Sequence, residues 1–594
     1  MTRPLFSLRT SASSAVNPNG AQDFWRSPLQ VLLLIATAIA PAANAQQSTT
    51  FQHGVVAADH PAASAAGAEI LRKGGNVVDA AVATSFALSV VRPASCGIGG
   101  GGFMVIWNAE KQKAVALDYR ERASAAASRN MFDDGAATDT TEAASVRGGK
   151  AVAIPGDVAG LCFAAKEYGT LPLATLLEPA IRLAKEGVPV DQHDLGVQSS
   201  SLKKFDIYDG YDTKFAALKK LYLNDGKRWK TGDVFDSPLE TVLEKIAANG
   251  PSAFYEGDVA KAIVKVVTDS GGIITAEDLA GTKPVVREAL QGKFHSSTVY
   301  SMPPVSSGGV ALLQTMQSLE AWEQLSGRNL KSLQHNSANY VHVVAEAMKH
   351  AFADRAEFLG DTDFVDVPIT RMLAPGYAKK IAQRIDVAKT QPAESYGRFF
   401  AASDAGTSHF SVIDAAGNAV ACTETINLTF GSFVVEPQYG IVLNNQIDDF
   451  AARPGEPNAF GLMQSEANAI EPGKKPLSSM TPTIVVRDGK AVFASGASGG
   501  PRIITATIQA TLNHLVFGMD PMAAASAPRF HHQWFPNKLL LESRIFTKLG
   551  DALKAKGHEI SENSSLAANQ SASLTKDGLK GGSDPRKHGV PAGF

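Results

Sequence analysis

Residues 405–414 read AGTSHFSVID and lead directly into AAGN at 415–418. A segment without period gives way here to a strand-like run. In DAAGN, Gly417 can take the left-handed position that closes a three-residue hairpin loop. If Asp414 and Asn418 form the closing pair, Thr425 stands directly across from Thr407. Opposed residues share a face with Cβ atoms about 4.5–5.5 Å apart, within reach of a hydroxyl–hydroxyl hydrogen bond. Thr423 and Asn427 fall on that face as well. Ser408 and His409 are neighbours on the strand and point to opposite faces, so they cannot form a serine–histidine dyad directly.

A threonine hydroxyl is a poor nucleophile unless a base takes its proton. The only acid or imidazole near Thr407 on its face is His409, two residues along. A cut between Gly406 and Thr407 would supply another base: an α-amine, with an unperturbed pKa of about 7.7–8.0, on the nucleophile's own Cα. The preceding segment, QPAESYGRFFAASDAG, is rich in small and polar residues and reads as an exposed, cleavable loop. From the hairpin alone, a plain surface hairpin is the favoured reading, because threonine suits strands.

The chain has 594 residues with 56 Lys+Arg against 58 Asp+Glu, a net charge of −2. That balance does not mark a nucleic-acid binder and points to small-molecule partners. Arg3, Arg9 and Arg26 precede the apolar run LQVLLLIATAIA and the small-residue pattern PAANA, so residues 1–45 are expected to be a cleaved export signal. The run Leu29–Ala40 is short for the roughly 20 residues of a spanning helix. No later stretch is long and apolar enough to span, so the expected location is periplasmic or secreted. Three cysteines without C-x-x-C spacing (Cys96, Cys162, Cys422) support neither a disulfide framework nor a zinc site.

No linker, repeat or charge block divides the chain, so one large layered domain of mixed helix and sheet is expected. NVVDAAVATSFALSVV predicts a buried helix with Asn76 as N-cap and Asp79 in its first turn. GGFMVIWNA and KAVALDYR predict short strands, and further strands gather at 408–426 and 483–495. Helices are predicted in DVAGLCFAAKEYG, PLATLLEPAIRLAKEG, SLQHNSANYVHVVAEAMKHAFADRAEFLG and TATIQATLNHLVFG. GIGGGG at 97–102 matches G-x-G-x-x-G but is followed by a strand pattern, so a tight turn is expected rather than a dinucleotide site. Adjacent His531 and His532 diverge and are read as structural.

Together GGNVVDAAVA, GIGGGGF, LDYRERA, AEAMKHAFADRAEFLGD, TSHFSVID, LNNQIDDF, PLSSMTPTIV, SGASGGPRIIT, APRFHHQW and DPR resemble the γ-glutamyltranspeptidase family of N-terminal-nucleophile enzymes, from about residue 51 to the C-terminus. The resemblance implies an α/β fold, a four-layer αββα sandwich made as a single precursor. It also implies a large subunit over 46–406 and a small catalytic subunit over 407–594, about 20 kDa by proportion of length. Carried over by motif, Thr407 is the nucleophile and Thr425 its hydrogen-bonding partner, in agreement with the hairpin register. Arg120, Ser478 and Ser479 hold the donor's α-carboxylate. Asn427, Gln446 and Asp449 hold its α-amino group, and Gly499 and Gly500 form the oxyanion hole. A guanidinium fork suits a carboxylate and an aspartate suits an ammonium, so both charges are anchored while the side-chain amide is presented for attack.

Two departures stand out. Ser408 replaces a second threonine, and Phe460 stands in the lid-like region ARPGEPNAFGL where bacterial members often carry tyrosine, which puts lid gating in question. The expected activity is γ-glutamyl transfer and glutathione hydrolysis with no cofactor or metal. The expected donors are glutathione and other γ-glutamyl compounds, and water, amino acids or peptides are the acceptors. Rivals are a cephalosporin (glutaryl) acylase of the same superfamily and a non-catalytic periplasmic γ-glutamyl binding protein.

Overall fold

Ser408–Asp414 and Ala419–Thr425 form an antiparallel hairpin closed by Asp414 N–H donating to the Asn418 carbonyl (3.1 Å), with Gly417 at φ 89°. Ser408 pairs with Glu424 and His409 with Thr423, so the register is the one the turn predicts. The computed structural model describes residues 49–133, 138, 140–397, 407–452 and 465–594. The expected leader (1–45), Gly406 and Phe460 lie outside the described residues.

The hairpin is central in a seven-stranded antiparallel sheet. On one side lie Gly54–Ala58 and then Ala592–Gly593. On the other lie Gly101–Asn108, Lys113–Tyr119 and Val285–Arg287. A second seven-stranded sheet runs Thr50–Phe51, Gly578–Ser583, Ala568–Thr575, Lys490–Ser498, Thr483–Arg487, Ser297–Ser301 and Leu290–Phe294.

Strand alternation decides which residues meet. Phe410, Val412 and Cys422 pack outward with the helices Pro61–Arg72, Val77–Val91 and Asp157–Tyr168. Ile413 and Ala421 face inward with Ile484, Ala494 and Ala572 of the second sheet. That sheet's outer face, with Val299, Val485 and Phe493, is covered by Gly308–Ser326, Ala338–Phe358 and Arg502–Leu515. The result is helix, sheet, sheet, helix, and the odd-numbered side chains from Thr407 to Ile413 belong to the layer between the sheets.

His409 shows how tight that layer is. Its ring fits because Gly496 lies against it: a Cβ there would sit 2.3 Å from the imidazole. Burial lowers the imidazole to a pKa of about 3, and its nitrogens bond Thr423 Oγ1 (2.8 Å) and Ser411 Oγ (3.1 Å). His409 is thus a neutral packing residue, engaged away from Thr407.

Asn76 caps Val77–Val91 through a reciprocal box with Asp79, as its sequence predicts. GIGGGG is a turn entering a strand. One predicted helix is shorter than expected. SLQHNS does not join Ala338–Phe358, because Gln334 and Asn336 adopt φ of 66° and 48° and Ser337 caps the helix anew.

Behind the hairpin, on the helix-covered face, Glu424 receives the Ser85 hydroxyl and lies 3.4 Å from Tyr119 OH. Burial raises its carboxyl to about 7, and burial likewise raises Asp157 and Glu121. A carboxyl whose folded pKa lies above its unfolded one favours folding most below the unfolded value. That contribution is lost as pH rises through the folded value. Glu424→Gln keeps the hydrogen-bonding shape without the charge. It should therefore match the wild type in denaturant midpoint near pH 4 and exceed it at pH 8. Equal midpoints at both values would show that Glu424 is not held protonated.

Candidate active site

At one end of the space between the sheets, Thr407 and Thr425 lie with side chains on one face, their hydroxyl oxygens 3.2 Å apart. Asn427 N–H donates to Thr425 Oγ1 (2.8 Å), and Asn427 reaches this position at φ 74°. Thr425 Oγ1 thus accepts from the main chain, and its own proton can be directed at Thr407 Oγ1.

Arg120 follows the strand Lys113–Tyr119 and enters the same cleft. Its Nη2 donates to Asp449 Oδ2 (2.5 Å) and its Nε to the Pro476 carbonyl (3.2 Å). Asp118, the neighbour that might have paired with it, instead accepts Arg120 N–H and faces Arg287 and Lys475. Glu121 is at 3.6 Å from Nη1. Gln446 Nε2 donates to Asp449 Oδ2 (2.6 Å), while Gln446 Oε1 is buried with no hydrogen-bond partner among the described residues. Burial raises the Asp449 carboxyl and Arg120 draws it back down. The cleft therefore contains a guanidinium, a carboxylate and an unanswered amide oxygen, a set matched to a ligand carrying both carboxylate and ammonium.

Ser478 and Ser479 line the cleft beside Arg120. Ser478 is fixed by main-chain pairing with Val305 and Ser306. Gly500, at φ 56°, lines the cleft between the strand Lys490–Ser498 and the helix Arg502–Leu515, where amide dipoles favour negative charge. Gly499, at φ 130°, backs onto Ala567 and is not part of the lining. Nine of the expected residues (Thr407, Thr425, Arg120, Asn427, Gln446, Asp449, Ser478, Ser479 and Gly500) share one cavity wall. Gly499 adjoins it.

Two further groups carry no role in the sequence reading. Arg355, buried on the helix Ala338–Phe358, donates from Nε to Ser307 Oγ (2.9 Å) and from Nη2 to Ser479 Oγ (3.4 Å). Its Nη1 has no partner among the described residues, and burial lowers its pKa to about 10. An arginine amid the apolar positions of VVAEAMKHAFADRAEF was the available signal. Lys587 Nζ donates to the Thr407 carbonyl (2.5 Å), and nothing in DPRKHG indicated that reach.

Among the described residues, His342, Glu346 and His558 form a set that could hold a metal ion, with ligand atoms within 4.8 Å of one another. The set is closed by its own hydrogen bonds. His342 Nδ1 lies 2.7 Å from His558 Nε2, and Glu346 accepts from Lys349, Thr390 and Tyr396. His531 bonds Thr505 Oγ1 (2.8 Å) and His532 accepts Trp534 N–H (3.1 Å), so the two imidazoles serve separate structural contacts. Cys96, Cys162 and Cys422 are free and buried.

The family model described as Gamma-glutamyltranspeptidase matches residues 63–594. A glutathione hydrolase proenzyme of Escherichia coli is 41% identical over 542 residues, covering 90% of each chain. Glutathione hydrolase 2 of Arabidopsis thaliana is 38% identical over 601 residues, covering 97% of this chain and all of its own. Among solved structures, a cephalosporin acylase from Bacillus halodurans superposes with a TM-score of 0.82 at 26% identity, covering 95% of this chain and 99% of that one. With sequence match, layered fold and cleft in agreement, the chain belongs to the γ-glutamyltranspeptidase family.

Proposed function

We propose that the protein is a self-processing γ-glutamyltransferase and glutathione hydrolase whose nucleophile is Thr407. The observation that carries this reading is the single cleft in which the paired threonine hydroxyls face the Arg120–Asp449 couple, Ser478, Ser479 and Gln446.

The precursor is cut between Gly406 and Thr407 into a large subunit (46–406) and a small one (407–594). The donor's α-carboxylate takes Arg120 and the serines. Its α-ammonium takes Asp449, Gln446 and Asn427, so the two charges paired across the cleft, Arg120 and Asp449, each gain a ligand partner. Thr407 Oγ1 attacks the γ-carbonyl carbon while its α-amine receives the hydroxyl proton. The oxyanion is held by main-chain N–H groups of Gly499 and Gly500, each worth about 2.7–4 kcal/mol in comparable sites. Collapse expels the amine leaving group, which takes the proton, and leaves a γ-glutamyl ester on Thr407. Water or an acceptor amine resolves the ester. The 1–45 leader would carry the chain to the periplasm or beyond. Among the described residues no helix is long and apolar enough to cross a membrane.

The likeness to a cephalosporin acylase motivates a second reading, hydrolysis of a side-chain acyl group such as glutaryl. A glutaryl group has no amine, so it would offer Gln446 Oε1 and Asp449 nothing of the kind an α-ammonium offers them. A non-catalytic binding protein would use the same anchors but keep the chain intact.

Denaturing gels with N-terminal sequencing should show a band of about 20 kDa beginning Thr-Ser-His-Phe. Thr407→Ala should remain full-length and inactive on glutathione. Normal cleavage or turnover in that variant would remove Thr407 from the mechanism. Arg120→Lys keeps charge but loses the fork. Loss of a charge-assisted hydrogen bond, about 1.5–3 kcal/mol, should raise KM for glutathione about tenfold or more. An unchanged KM, or faster turnover of glutaryl-cephalosporin than of glutathione, would refute the γ-glutamyl assignment of the cleft.

A further inference from the structure

The main-chain carbonyl of Thr407 occupies an unusual place in the sheet. Along Ser408–Asp414 the even residues exchange hydrogen bonds with Ala419–Thr425, as Asp414 does with Asn418, and the odd ones turn toward Gly54–Ala58, as Ala415 N–H does toward the His53 carbonyl (3.0 Å). Thr407 therefore presents its carbonyl to the Gly54–Ala58 side. That strand ends at Ala58, and its register with Phe410, carried on, would bring Pro61 opposite Thr407. Pro61 begins a helix and has no N–H to give.

Lys587 fills the gap. It closes a short 3₁₀ turn, Pro585–Lys587, capped by Asp584. From there its Nζ donates to the Thr407 carbonyl (2.5 Å) and to Asp59 Oδ2 (2.8 Å). Asp59 is fully buried and also accepts from Gln570. Lys587 does not line the cleft.

We propose that Lys587 is a positioning residue for Thr407: its ammonium replaces the missing strand partner, fixes the nucleophile's main chain, and disfavours a second positive charge on the adjoining α-nitrogen. The inference rests on the N-terminal-nucleophile reading above. In the processed enzyme the α-nitrogen and the gripped carbonyl belong to one residue, so Lys587 places a cation close to the atom that must accept the Oγ1 proton. Among the described residues, other charged or titratable groups about Thr407 include Asp59 beside Lys587, Arg120 and Asp449 in the cleft, Glu424 on the opposite face of the partner strand, neutral His409 two residues along, and, behind Ser408 and Lys587, Cys96 and Arg92. Among these, Lys587 alone holds Thr407 through the main chain. Asp59 tempers its charge, so the two should act on the nitrogen with opposite sign.

The test is the pH profile of kcat/KM for glutathione on the self-cleaved fraction of the wild type, Lys587→Met, Lys587→Arg and Asp59→Asn. In Lys587→Met, loss of the cation should move the acid limb up by about one pH unit. It should lower kcat near pH 7 about tenfold with little change in KM, because an amine protonated at neutral pH cannot act as base. Lys587→Arg should keep the limb near its wild-type position, and Asp59→Asn, which leaves the cation uncompensated, should move it down. If Lys587→Met stays uncleaved, the arginine and asparagine variants decide the matter through the same profile. Acid limbs that do not move, or that move in the same direction in Lys587→Met and Asp59→Asn, would overturn the proposal while leaving a processed, Thr407-dependent wild type intact. A wild type that turns over glutathione with the Gly406–Thr407 bond unbroken would overturn both readings.

Discussion

The register of one hairpin governs the rest of the molecule. Because Asp414 and Asn418 close a three-residue loop, every pair up to Ser408 and Glu424 is fixed, and a slip by one residue would send all the side chains to the opposite face. With the register as it is, Phe410 and Val412 join the helix-covered core, and Thr407, His409 and Ser411 join the layer between the sheets. The hydroxyls of Thr407 and Thr425 then meet at the open end of that layer, where the second sheet contributes the glycine turn before Arg502–Leu515.

The two faces of the same hairpin have opposite electrostatic character. Toward the cleft, Arg120, Arg355 and Asp449 are withdrawn from water, and Asp449 offsets only part of the two guanidinium charges, which leaves a positive excess. Burying such charges costs free energy unless each is matched, and Gln446 Oε1 and Arg355 Nη1 remain unmatched among the described residues. A zwitterionic ligand can supply what the fold leaves unsatisfied. Away from the cleft, burial raises the Glu424 carboxyl to about 7 and raises that of Asp157 as well. The strand Ser408–Asp414 thus separates a charged side that faces the cleft from one where burial favours the neutral carboxyl.

The polar contacts around Thr407 come from remote parts of the chain. Gly54–Ala58 lends its edge but stops short, and a C-terminal lysine 180 residues beyond Thr407 completes the main-chain bonding. An ammonium can bond a carbonyl as an amide N–H would, but it also carries a charge, so a structural vacancy becomes an electrostatic influence on the site.

The sequence alone determined what local rules can reach. Alternation gave the strands around 408–426, the Gly417 turn gave the register and the Thr407–Thr425 pair, and Asn76 with Asp79 gave a capped helix. Each depends on residues a few positions apart. The extent of the helix Ala338–Phe358 was overestimated because periodicity continues through SLQHNS, whereas positive φ at Gln334 and Asn336 breaks it. Roles for Arg120, Asp449, Ser478 and Gly500 could be named only through the family's motifs, since no spacing rule joins positions so far apart. That they share one cleft, that Arg120 donates to Asp449 while Glu121 lies farther off and Asp118 faces Arg287 and Lys475, and that Arg355 and Lys587 attend the site were decided by the tertiary structure. The physical reason is that stacking two sheets between helix layers fixes which strand ends coincide, and the energy of a buried charge depends on those neighbours rather than on its place in the chain.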